Sequence, residues 1–290
     1  MQQEYYIGVL PKSPIVSDDL LDIIIKKFRD FRLQVLAIAD NKALGRSSHA
    51  FEEKTDRQSY LDDLNSPTDF WFACFAAPAG LDGNIFRNVS RPPRSRHDFN
   101  ATVSKDDERI LKEGIWVAIS SAHGPLSKEA WHLPGLSDTV LSDDVESRFH
   151  LSQLYLLEEH RGVKLPGNES LFLRLCRGSF DFLQNFAYKR ASRKPAYARM
   201  RGTIAPDAAD TKLMDLYKKQ LGYTITGWVP QVTAMLTNQA RVETWPSVED
   251  NKDFYTACRF PCFEKLCRID ENGVSIFQRS TPQGEIWAKL

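Results

Sequence analysis

The chain has 290 residues, enough for one large domain or two small ones, with a sizeable buried core either way. Its 38 lysines and arginines equal its 38 aspartates and glutamates, so no overall charge draws it to nucleic acid or to an anionic membrane. The opening Met-Gln-Gln-Glu-Tyr-Tyr lacks the basic start and apolar run of a secretory signal, and no apolar stretch reaches the ~20 residues of a membrane span. Five cysteines, an odd number in a long chain, favour free thiols in a reducing compartment, and a cytoplasmic protein is expected.

In chain order, Tyr5–Leu10 reads as a short strand broken by Pro11 and Pro14. Ser17, Asp18 and Asp19 offer an N-cap and early negative charge. Leu20, Leu21, Ile24, Ile25 and Phe28 follow at helical spacing, and Val35–Ala39 is a further apolar run. Thr55 is placed to cap a helix ending near Leu64. Phe70–Ala76, aromatic-rich and closed by Pro78 and Gly80, predicts a buried strand. Gly83–Lys112 reads as a long loop or insertion holding Arg87, Arg91, Arg94 and Arg96 among prolines and polar residues, a solvated basic stretch. Gly114–Ser121 predicts a second buried strand, and Gly124–Ser142 returns to loop chemistry, with His123 beside it read as a loop residue.

Phe149–Leu157 is β-compatible, Glu158–Gly167 is a polar loop, and Asn168 opens a helical pattern. Its apolar positions are Leu171, Phe172, Leu175, Cys176, Phe180, Leu183 and Phe186, and Arg193–Pro195 ends it. Ala198–Ala205 predicts a strand. A helix over Thr211–Gln220 follows, capped by Asp207 or Asp210 and stopped at Gly222. Tyr223–Val229, Tyr255–Cys267 and Val274–Arg279 read as strands. No internal repeat appears, and the mixture predicts an α/β (α+β) layer fold.

The loop before the helix carries the chemistry. A helix N-terminus leaves backbone N–H groups unpaired and carries positive partial charge, and a glycine-containing loop lets those donors converge on a phosphate. Arg161, Gly162, Val163, Lys164 and Gly167, with Asn168 as the cap, suit a pyrophosphate. The same composition also suits an ordinary strand-to-helix turn with solvated charges.

The segment LYLLEEHRG, Leu154–Gly162, resembles the part of the GNAT acyl-CoA N-acyltransferase superfamily in which a central strand ends in a bulge and enters the acyl-CoA pyrophosphate loop. Arg161 and Gly162 match the family pattern; Lys164 and Pro166 stand where it has small residues. LYKKQLGY, Leu216–Tyr223, resembles a second family segment, Leu-Tyr followed by Gly and an aromatic, and Asp210 stands where the family often has Asn. GPLS at Gly124–Ser127 and Gln231–Asn238 resemble fungal-type members, and HAFEE at His49–Glu53 resembles an early substrate-side segment.

The resemblance implies a single domain over 1–290, with a loop insertion near 83–112 and a C-terminal extension near 230–290. It implies a central, mostly antiparallel twisted sheet splayed at its middle strands, with helices on both faces. It further implies direct transfer of an acetyl or other acyl group from acyl-CoA to a small-molecule amine, without metal. Backbone N–H groups around Leu156 and Leu157 would polarise the thioester carbonyl, and Tyr217 would protonate the thiolate; an unperturbed phenol pKa of ~10 permits this. His150, which shares a strand face with Ser152, Glu158, Glu52, Glu53 and Asp210 are the candidates for the general base, and Glu52, Glu53 and Ser152 fall on the acceptor side. Monomer and homodimer are both open.

Two other readings stay beside this one. Because Pro166 has no N–H and a fixed φ, the protein could be GNAT-like with lost or altered CoA use, a non-acetylating biosynthetic enzyme or ligand-binding protein. A non-catalytic interaction protein using Arg87–Arg96 is the third. Cys258, Cys262 and Cys267 lack the paired spacing of a structural zinc site and read as thiols.

Overall fold

A computed structural model describes residues 3–11, 16–41, 57–91, 102–131, 141–143, 145–190, 196–203, 215–230 and 259–269. The strands are β1 (Gln3–Val9), β2 (Asp69–Pro78), β3 (Arg87–Asn88), β4 (Ile115–His123), β5 (Glu146–Leu156), β6 (Tyr197–Thr203), β7 (Thr224–Pro230) and β8 (Arg259–Arg268). The helices are α1 (Asp18–Asn41), α2 (Arg57–Asn65), α3 (Lys105–Glu113), the short α4 (Lys128–Trp131) and α5 (Leu171–Arg190). The strands form one sheet in the order β3-β1-β2-β4-β5-β6-β8-β7. Every pairing is antiparallel except β5 with β6, which is parallel. This is the mixed α/β, mostly antiparallel architecture expected from the sequence.

Each face of the sheet buries its own core. Alternation sends Trp71, Ala73, Phe75 and Ala77 to one side, where α1 lays Leu21, Ile24, Phe28 and Phe31 over them and α3 adds Ile110 and Leu111. Phe70, Phe72, Cys74 and Ala76 point to the other side, onto Leu171, Leu175, Phe180 and Leu183 of α5. Helices therefore cover both faces, as two-sided burial of β2 requires.

Several elements differ from the sequence reading. The run Val35–Ala39 continues α1, which Ser17 caps through the Leu20 N–H. Gly83–Lys112 is not a loop throughout: it contributes β3 to the sheet edge and most of α3 to one face. Asp107 explains the order there. Its buried carboxylate accepts from the Ile85 and Phe86 amides at 3.0 and 2.9 Å and closes a capping box with Ser104. The region near 230–290 is not an extension as a whole, because Arg259–Arg268 is inserted between β6 and β7. The expected helix over Thr211–Gln220 is, in its described part, a single π-type turn over Leu216–Gln220, stopped by Gly222 at φ 71°. Of the basic stretch, Arg87 is half-buried in β3 and Arg91 pairs with Glu4 at 2.9 Å; Arg94 and Arg96 lie outside the described residues. No described helix is long and apolar enough to cross a membrane.

Candidate active site

The site is a wedge in the sheet. β5 and β6 run side by side from Glu146–Tyr197 to Leu151–Gly202, and there the pairing ends, while β5 continues along β4 to Leu156. A bulge in the β4 pairing falls between Leu151 and Gln153, at Ser152, where β5 leaves its parallel partner. The sheet is thus splayed at its middle strands, as expected.

Backbone direction along the wedge follows from one bond. The Leu157 N–H donates to the Val117 carbonyl at 3.0 Å, toward β4. Strand alternation then turns the Leu156 N–H and C=O away from β4, into the wedge. The expected pair of donors at Leu156 and Leu157 is corrected to Leu156, since the Leu157 amide is bonded within the sheet. Arg161 Nε donates to the Leu156 carbonyl at 3.2 Å, a further sign that this peptide faces the wedge.

The loop beyond β5 is more closed than its sequence implied. A 3₁₀ turn covers Glu158–His160, and Lys164 faces Ser170 in a two-residue antiparallel bridge. The Arg161, Val163 and Asn168 amides donate inside the loop, to Glu158, His160 and Leu165. Of the expected cradle, Arg161, Gly162, Lys164, Gly167 and Asn168 are exposed and Val163 is half-buried. Asn168 is not the helix cap: Gly167 (φ 80°) and Asn168 (φ 62°) make a left-handed reversal, and Ser170 Oγ caps α5 by accepting from the Leu173 N–H at 3.2 Å. The Glu169 carboxylate lies at the helix start, held by Arg174 at 2.6 Å and by Arg177. A negative charge belonging to the chain itself thus complements the helix N-terminus. Tyr5 Oη, 3.1 Å from His160 Nδ1, ties the loop to β1.

Tyr217 is buried on the same face as α5, its ring 4.4 Å from that of Phe263 and in edge contact with Phe172 and Tyr223. Burial, with the nearby Cys176 thiol, raises its phenol well above the usual range, so it is protonated at neutral pH. Glu158 is exposed on the 3₁₀ turn, away from the apex. Glu52, Glu53, Asp210 and the Ser152 side chain lie outside the described residues.

His150 points to the opposite face and is 2% exposed. Burial first, then the Arg201 and His123 charges, depress its pKa to about 3. That neutral, weakly basic imidazole does not suit the expected general base, which must titrate near its working pH. Its strand partners form a row that the sequence did not reveal. Cross-strand pairing sets Asp69, His123, His150, Arg201 and Glu264 side by side on β2, β4, β5, β6 and β8, on one face. His123 Nδ1 lies 2.8 Å from Asp69 Oδ1, and both side chains are about a third exposed. The signal lay in the pairing of two separate strand ends, which one-dimensional reading does not supply. Beneath the row, Glu146 binds Arg148 and Arg199 at 3.1 and 2.7 Å, Arg199 reaches Glu264 at 3.2 Å, and Arg201 stacks on Trp131 at 3.9 Å.

The wedge therefore has a loop-and-helix side and a charged side, meeting where β5 and β6 part. No protein-family model matches the chain. No curated protein matches it either. A solved structure of Arabidopsis thaliana Naa50 in complex with the bisubstrate analogue CoA-Ac-MVNAL is similar over 89% of this chain and 97% of its own, at 11% identity and a TM-score of 0.36. Values of that size leave the functional reading to the site itself. Cys74, Cys176, Cys262 and Cys267 are buried free thiols, and no metal-binding group of His, Cys, Asp or Glu occurs among the described residues.

Proposed function

We propose that this protein transfers an acyl group, acetyl in the simplest case, from coenzyme A to the amine of a small molecule by direct transfer. One observation carries the reading: a parallel strand pair that parts after Leu151–Gly202 and leaves the Leu156 peptide facing the gap. A backbone N–H fixed there would polarise a thioester carbonyl without a charged side chain. The sequence resemblances at Leu154–Gly162 and Leu216–Tyr223 agree with this reading. Tyr217, which burial keeps protonated while making it a weaker acid, stays assigned to proton donation to the departing thiolate. Ser152, Glu52 and Glu53 stay assigned to the acceptor side, and Asp210 to the donor side.

Fit to the donor differs along its length. The wedge suits the thioester end. At the loop, Pro166 brings no N–H and Glu169 places a carboxylate where a pyrophosphate would meet the helix start. That observation favours a second reading, altered CoA use, in which binding rests on the wedge and on Gly162, Lys164 and Gly167 rather than on the helix N-terminus. Isothermal titration with acetyl-CoA and with longer acyl-CoAs tests the main reading: saturable heat with at least one of them is expected, and absence of heat with all of them sinks it.

A further inference from the structure

The α5 side of the sheet holds buried polar atoms that the acyl-transfer reading does not use. Asp181 Oδ1, both amide atoms of Gln184 and the Tyr223 hydroxyl are enclosed and have no hydrogen-bond partner among the described residues. Gln184 is 0% exposed and Tyr223 is 3% exposed. We propose that α5, β8 and the turn before β7 enclose an internal site for ordered water, bonded by Asp181, Gln184 and Tyr223, which seats the turn that carries Tyr217. The site stands independently of the acyl-transfer reading.

Several contacts bring these side chains together. Asp181 and Gln184, three residues apart on α5, share one helix face. Opposite them, alternation puts Phe263, Lys265 and Cys267 of β8 on the α5 side, paired with Gly202, Met200 and Ala198. The Tyr223 ring packs on Phe180 of α5 at 5.7 Å and on Phe263 at 4.9 Å. Cys267 marks the middle of the group. Burial raises its thiol above the ordinary value, and after burial the Lys265 charge, the Asp181 charge and the Gln184 amide act on it. The amide approaches that thiol without hydrogen-bond geometry. Burial also raises the Tyr223 phenol, followed by the influence of Tyr217, Cys176 and Cys267.

The chemistry selects the occupant. A buried amide or phenol is costly to leave unpaired, and native proteins pair such groups with protein or with water. The open atoms are two acceptors, Asp181 Oδ1 and Gln184 Oε1, one donor, Gln184 Nε2, and a hydroxyl that does either. Water complements that set, since it donates and accepts, and a buried water typically makes ~3 such bonds. The Asp181 carboxylate repels an anion, and Lys265, whose Nζ donates to the Leu221 carbonyl, repels a cation. A neutral occupant remains. Tyr223 links the site to Tyr217: its N–H donates to the Tyr217 carbonyl at 3.1 Å, and the two rings meet edge-on at 5.5 Å. Anchoring the Tyr223 hydroxyl through water therefore fixes the turn over Leu216–Gln220 against α5 and β8.

Urea unfolding separates a wet site from a dry one, because the two predict opposite signs. Gln184→Met, apolar and close in volume, deprives a bound water of a partner and orphans Asp181 Oδ1 and Tyr223 Oη. The folding equilibrium constant should fall about tenfold. A dry site gains from losing an unpaired amide, so an unchanged or raised constant overturns the proposal. Tyr223→Phe should lower the constant as well, and the double variant should lose less than the two single losses combined, because both act through the same water. Additive losses overturn it. Should the variants fail to fold, a high-resolution crystal structure of the wild type decides. Water density ~3 Å from at least two of Asp181 Oδ1, the Gln184 amide and Tyr223 Oη is expected, and its absence, or protein atoms pairing those groups, overturns the proposal.

Discussion

At the scale of single residues, burial decides what a titratable group can do. His150 and His123 face each other across two strands, yet one is enclosed and the other open. The pKa of His150, about 3 against an ordinary 6.5, gives a prediction for stability. Above about 6.5 both folded and unfolded chains carry a neutral imidazole at this position. Between 6.5 and 3 the unfolded chain takes up a proton that the native site refuses, so this stability contribution is present above 6.5 and is lost as pH falls toward 3. Urea midpoints measured down this window should fall for the wild type and fall less steeply for His150→Gln; parallel slopes would count against the buried neutral imidazole. The same residue shows the limit of one-dimensional reading. His150 was recognisable as a histidine on a strand, but its depth and its Arg201 neighbour were not, because both follow from the pairing of β5 with β6.

At the scale of elements, the strand–loop–helix unit was legible and its detail was not. Alternation and helical spacing located β5 and α5 to within a few residues. The cap moved from Asn168 to Ser170 because the Gly167–Asn168 reversal and the Lys164–Ser170 bridge spend residues before the helix can start. Glu169 consequently sits at the N-terminus of α5 and engages Arg174 and Arg177. Glu169→Gln removes that carboxylate charge and frees two arginines for a phosphate. We expect acetyl-CoA to bind about tenfold more tightly, equivalent to about 1.4 kcal/mol. Stability should fall by less than about 1 kcal/mol, because both arginines are partly exposed. Titration calorimetry and urea unfolding measure the two effects, and unchanged affinity would show that the helix start takes no part in donor binding.

At the scale of the whole molecule, two apolar cores hold the sheet at α5 and at α1, and a charged layer holds the part between. Glu146 is 1% exposed and binds Arg148 and Arg199, which belong to the two strands that diverge at the wedge. Glu146→Ala would leave both guanidinium groups buried beside an empty site. A loss of about 1–3 kcal/mol of unfolding free energy is expected, less than for a buried charge left wholly unpaired, because Arg148 keeps Asp143 and Arg199 keeps Glu264. Thermal or urea unfolding checks it; a loss below about 1 kcal/mol would mean that the network is not part of what closes the base of the wedge. Dispersed charges such as Glu146, Arg148, Arg199 and Glu264 read as surface in the sequence, and only the pairing of β5, β6 and β8 buries them together.

The order of apolar and polar residues by itself determined most strands, the helix after the loop and the mixed α/β class, since these depend on short-range periodicity. The placement of α3 and of β8 within the fold, the choice of Leu156 over Leu157, the burial of His150, and the meeting of His123 with Asp69 were decided only by tertiary structure. Each depends on which strand ends lie side by side and which peptide faces the gap. Register and cross-strand pairing join residues far apart in the chain, and no local window contains both partners.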